Sequence, residues 1–158
     1  ILGGNMSSRM FLGVREKHGL SYYISTSTDD YQDSGVLSTR AGVDVKRVDL
    51  AIQAICKEYG AIRGEKIPAA ELTKAKEFIK GKLILRLEDS EEYAHLLAKQ
   101  ALLHGTAETP AEVMKKVEAV TVEDLVRVSQ DVLKPENLHL ALIGPYSDAG
   151  HFTSLLNF

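Results

Sequence analysis

Arg15 and Tyr22 stand seven positions apart, with Gly19 between them. A guanidinium and a phenol at one backbone corner can both donate hydrogen bonds to a single oxygen of a bound peptide. The same residues have a plainer local reading: a cation near a helix C-terminus answers the helix dipole, and a strand tyrosine often belongs to a core. The groups that would cut a peptide are not beside them. The five histidines, His18, His95, His104, His139 and His151, include no pair four residues apart, so neither His-Glu-x-x-His nor its inverse occurs. Glu92-x-x-His95 is a single Glu-x-x-His pair, where a carboxylate-bridged dimetal bundle needs two pairs and two further Glu, so it reads as a solvated or packed helix face. Ser7-Ser8 has no local His or Asp partner. Gly3-Gly4-Asn5-Met6-Ser7-Ser8 lacks the Gly-Lys-Ser/Thr ending of a phosphate loop.

The elements that must position Arg15 and Tyr22 follow from the pattern around them. Gly3-Gly4-Asn5 breaks regular structure, and Asn5 or Ser7 can cap a helix over Met6 to Lys17, striped by Met10, Phe11 and Val14. Gly19 suits the left-handed position that ends a helix. Leu20 to Asp30 alternates and is rich in Tyr, Ile, Thr and Ser, so it reads as a strand, with Tyr22 and Tyr23 on opposite faces. Gln32 to Gly35 is a turn, and Val36 to Val43 returns as the second strand of an antiparallel hairpin.

Beyond the hairpin the pattern is helical. Asp44 caps a helix to about Tyr59 that buries Val48, Ile52, Ile55 and Tyr59, and Gly60 to Lys66 reads as a loop. Pro68 opens a long helix to about Glu88 with Leu72, Ala75, Ile79 and Leu83 facing inward. Asp89 or Ser90 starts another, ending at Gly105. Thr109-Pro110-Ala111-Glu112 is a capping box, and Thr121 opens a helix to about Leu133. Leu138 to Ile143 is expected to be a closing strand, stopped by Gly144-Pro145. The order predicts an α+β fold, an antiparallel sheet packed on one face by several helices. Three strands make a meagre sheet, so a further strand is expected upstream of Ile1, and residues 1–158 are read as one domain, N-terminally incomplete.

Composition narrows the class. The 158 residues are 44% apolar and 26% charged, with a net charge of −3 and mixed signs along the chain. That argues against nucleic acid as the main ligand, and no apolar run approaches the roughly 20 residues that span a bilayer. Cys56, the one cysteine, lies in an apolar helical pattern and reads as core. It leaves the compartment open, with a reducing one such as the cytoplasm favoured.

Gly3-Gly4-x-Met6-Ser7-Ser8-Arg9-x-Phe11-x-x-Val14-Arg15-Glu16-Lys17-x-Gly19-Leu20-x-Tyr22 resembles the signature of the later half of the M16 zinc peptidases, the family of pitrilysin, insulin-degrading enzyme and mitochondrial processing peptidase. Glu71 to Glu77 and Leu85 to Glu88 resemble that family's long helix; Thr121 to Leu125 and Leu140 to Gly144 resemble its closing helix and strand. The likeness runs to about Tyr146 and is nearest to the bacterial, processing-peptidase-like branch.

The resemblance implies two related halves facing each other across a chamber. The first half carries His-x-x-Glu-His and the zinc; the second supplies an Arg and a Tyr to the substrate backbone, here Arg15 and Tyr22. Gly3 and Gly4 are candidate substrate-binding positions lining the chamber, or a plain helix breaker. No metal ligand is expected in this chain. Zinc belongs to the complete enzyme, bound by a partner half that is either upstream in the same chain or a separate subunit; a homodimer is a further option. The implied function is the substrate-binding and transition-state-stabilising half of a zinc-dependent endopeptidase, inactive alone. The alternative is a non-catalytic scaffold or substrate-recognition subunit of the same fold.

Overall fold

A computed structural model describes residues 1–65 and 67–158. It divides into two compact units, Ile1–Lys66 with Val126–Phe158, and Ile67–Leu125. Lys66, the last residue of the loop expected from Gly60, lies outside the described residues. The fold class is α+β, as the pattern predicts.

In the first unit a π-helix, Phe11–Lys17, leads into strand β1, Ser21–Asp30, which pairs antiparallel with β2, Gly35–Val43. Asp44 then accepts from the Lys46 amide at 2.8 Å and opens a single 3-10 turn, followed by helix α1, Val48–Gly64. Helix α1 covers the hairpin. Val48, Ile52 and Cys56 are buried with Phe152, and Val43, Leu138, Leu142 and Phe158 pack around them. Beneath the hairpin, the Tyr59 hydroxyl donates to Thr39 Oγ1 at 2.6 Å, and the Thr39 and Thr26 hydroxyls share a bond of 2.8 Å. One short polar chain thus ties α1 to both strands.

Three expected elements differ from the sequence reading. The first helix starts at Arg9 instead of Met6. The Arg9 and Met10 amides bond to the Ile1 and Leu2 carbonyls at 3.0 and 2.9 Å, and the Asn5 side chain is spent on Ser7 at 2.8 Å. Helix α1 runs on to Gly64 through the expected loop. Gly60 leaves room for Phe158, whose Cβ lies 3.1 Å from where a glycine Cβ would stand, and Ile62 is buried.

Leu138 to Ile143 is not a strand; among the described residues the sheet has two strands. A strand exists only where its N–H and C=O groups meet a partner. This segment instead sends Leu138 and Leu142 into the core against α1 and leaves Ile143 exposed. Past Tyr146, where the reading stopped, a short helix, Ala149–Ser154, brings Phe152 into the core.

The second unit holds helices α2, Ala69–Leu87, α3, Ser90–His104, and α4, Pro110–Ala119. Their ends follow the sequence closely. Asp89 caps α3, Gly105 ends it at φ 71°, and both halves of the Thr109–Glu112 capping box are formed. Lys80 pairs with Glu118 at 2.5 Å and Lys76 donates to the Glu118 carbonyl at 2.6 Å, holding α2 to α4. Leu72 is buried and Ala75 and Leu83 half-buried, but Ile79, expected inward, is 47% exposed. α5, Val122–Val132, follows α4.

Candidate functional site

The site is built on the corner where the π-helix becomes β1. A helix C-terminus leaves carbonyls without intrahelical donors. Here Gly19 takes φ +57°, and its amide donates to the Arg15 carbonyl at 2.8 Å while the Leu20 amide donates to Val14 at 3.0 Å. Glycine alone adopts that φ without a steric penalty from Cβ. The next two carbonyls, His18 and Gly19, accept from Arg47 Nη2 and Nη1, each at 2.9 Å. The turn between Arg15 and Tyr22 is therefore closed by its own backbone and by one distant guanidinium.

Arg15 sits half-buried in the last helical turn, its guanidinium carbon 4.7 Å from the centroid of the Phe11 ring one turn earlier. That cation–π contact orients the side chain without consuming its N–H donors. The helix itself approaches α1 closely at Gly13, where a Cβ would lie 2.5 Å from a Glu58 carboxylate oxygen. Burial, partly offset by Arg9, pushes the Glu58 carboxyl above its usual range.

Tyr22 occupies a β-bulge. Ser21 faces Val43 and Tyr23 faces Gly42, so Tyr22 is the extra residue with no opposite number. A bulge re-aims the side chain it carries and interrupts the two-residue alternation. Both Tyr22 and Tyr23 are exposed, at 74% and 61%. Their roles differ nonetheless. The Tyr23 ring passes over Gly42, with Cε1 2.4 Å from an ideal Cβ position there. Among the described residues, neither Tyr22 nor Arg15 makes a side-chain hydrogen bond or ion pair.

Gly3 and Gly4 divide as well. Gly3 is buried on β1, its carbonyl accepting from the Thr26 amide at 3.0 Å, and a Cβ would fall 2.1 Å from Thr26 Oγ1. Gly4 is exposed with nothing within 4 Å of its Cβ position. Among the described residues no group of three or more His, Cys, Asp or Glu could hold a metal ion. Cys56 is buried, and desolvation pushes its thiol upward, with a backbone hydrogen bond from Asn157 opposing.

Sequence reasoning missed Arg47, Gly42 and Gly13. Arg47 acts across 28 residues, and its only signal is its place four residues beyond Val43, the partner of Ser21.

This corner, closed by a glycine cap and carrying an arginine and a tyrosine whose hydrogen-bond donors the fold does not use, lies in the segment of the chain that matches a family model. Residues 1–79 match the model described as Peptidase M16 inactive domain. The chain belongs to the M16 peptidase family. It is 32% identical over 146 residues to an uncharacterized zinc protease of Mycobacterium leprae, covering 92% of this chain and 33% of that protein. Among solved structures, a conserved protein from Enterococcus faecalis superposes with a TM-score of 0.73 at 30% identity, covering 81% of this chain and 30% of that one. A protease from Helicobacter pylori gives 0.74 at 25% identity, covering 84% and 32%. The chain thus spans about a third of the length of the relatives it matches.

Proposed function

We propose that this chain is the substrate-binding and transition-state-stabilising half of a zinc-dependent endopeptidase that works as a chamber of two halves. The observation that carries the reading is that Arg15 and Tyr22 flank one rigidly closed corner with their donors unspent. Hydrogen-bond donors that the fold leaves unspent are available to a ligand. The metal is assigned to the zinc-binding half, in keeping with the want of any group of three or more His, Cys, Asp or Glu able to hold a metal ion among the described residues. That half is either upstream or a separate subunit, and a homodimeric arrangement is compatible with both.

What these residues do is electrostatic. As water adds to the scissile carbonyl, negative charge grows on the carbonyl oxygen, and the proton-bearing groups of Arg15 and Tyr22 donate to it. Interactions that strengthen as that charge develops lower the barrier, whereas equal binding of substrate and transition state would not. Gly4, with open space around it, is assigned to the wall of the substrate space, and Gly3 anchors that wall to Thr26. In a scaffold or recognition subunit, by contrast, Arg15 and Tyr22 would have no task. Turnover of Arg15→Ala and Tyr22→Phe variants of the complete protein, with zinc content measured alongside, tests the reading.

A further inference from the structure

We infer that Arg47 is a positioning residue for Arg15 and Tyr22: its guanidinium fork, on the His18 and Gly19 carbonyls, sets the angle at which the helix delivers Arg15 and β1 delivers Tyr22. The inference rests on the proposed role of that pair. Three observations carry it.

The first is placement. Val43 is the register partner of Ser21, so the chain leaving β2 emerges beside the start of β1. Asp44 then turns it, its carbonyl accepting from the Arg47 amide at 2.9 Å and its carboxylate from the Lys46 amide at 2.8 Å. The Arg47 backbone is therefore fixed before its side chain reaches back 28 and 29 residues to the corner.

The second is completeness. The carbonyls of Val14, Arg15, His18 and Gly19 are all satisfied, the first two by the backbone and the last two by Arg47 alone. Backbone amides close one side of the turn, and Arg47 supplies the side-chain hydrogen bonds to it. The third is chemistry. Two bonds from one planar guanidinium hold two carbonyls in a set relative direction, where the single rotating nitrogen of an ammonium leaves that direction loose.

The test is kinetic and local, on the complete protein carrying its zinc-binding half, with fluorescein-labelled casein as substrate. Arg47→Met is expected to lower kcat about tenfold, because small misplacements of catalytic groups are costly, while KM moves less than about twofold, since the contacts of Arg15 and Tyr22 that it misaligns strengthen chiefly in the transition state. Arg47→Lys is expected to fall between wild type and Arg47→Met. In a Tyr22→Phe background, Arg47→Met is expected to cost clearly less than tenfold, because part of what it positions is already gone. Amide hydrogen exchange should quicken at residues 18–22 and stay unchanged along α1.

Wild-type kcat in Arg47→Met, with Arg15→Ala impaired, overturns this inference and leaves the pair's role intact. So does faster exchange spread through α1 and β2, or an equal loss in both backgrounds. Full turnover in Arg15→Ala and Tyr22→Phe overturns the pair's role and this inference together.

Discussion

The Tyr23 ring lies over Gly42 so closely that a Cβ at position 42 would meet ring carbon Cε1 at 2.4 Å. This contact separates two adjacent tyrosines that look alike in the sequence. Tyr23 spends its ring on a cross-strand neighbour, as an aromatic commonly covers a strand glycine. Tyr22, carried by the bulge next to it, has no such seat.

The glycines at the corner should therefore rank by what their Cβ would strike. Gly42→Ala displaces the ring of an exposed side chain and should cost about 1 kcal/mol. Gly3→Ala meets Thr26 Oγ1 at 2.1 Å and its backbone nitrogen at 2.6 Å. Backbone cannot swing aside, so the expected cost is about 3 kcal/mol. Urea denaturation of the two variants checks the order.

Gly19 tests the corner differently. At φ +57° an alanine is strained although nothing lies within 4 Å of its Cβ. Gly19→Ala should destabilise by about 1 kcal/mol, and Gly19→Asn by less, since Asn tolerates the left-handed region better. Thermal melts of both variants give the comparison.

Tyr59 joins α1 to the hairpin and has an alkaline signature. Burial raises its phenol above the ordinary 10.0, against the lowering effect of the Thr39 hydrogen bond. A folded pKa above the unfolded one means the contribution is whole below the unfolded value and is lost as pH rises through the folded one. Tyr59→Phe should cost about 1 kcal/mol at neutral pH and should flatten the fall in stability at alkaline pH. Urea midpoints on either side of the phenol range measure both effects.

The isolated chain offers a further check. Without the zinc-binding half, it is expected to show no peptidase activity when zinc is added. Casein hydrolysis by the purified chain alone would overturn the division of labour between two halves.

Much of this molecule was legible in its sequence where the determinants are local. The Gly19 cap, the Asp44 and Asp89 caps, the Thr109–Glu112 box and the hairpin are all read from a few adjacent residues, and all form. The failures lie where distant residues decide. Leu138 to Ile143 has the alternation of a strand, but alternation states which residues are buried and not whether a ladder partner exists. Helix α1 outlasts Gly60 because Phe158 packs there, nearly a hundred residues later. The bulge at Tyr22 leaves no trace in composition, and the Arg47 bonds depend on the register of the strands between.

The most direct measurement is kcat/KM of the complete protein on an unstructured fluorogenic peptide, with bound zinc quantified in the same samples. Arg15→Ala and Tyr22→Phe should each lower kcat/KM by about 10²–10³, the cost of losing one donor to a developing oxyanion, with zinc content unchanged. Wild-type turnover in both variants would contradict a catalytic role for the pair and return Arg15 and Tyr22 to the surface of a scaffold.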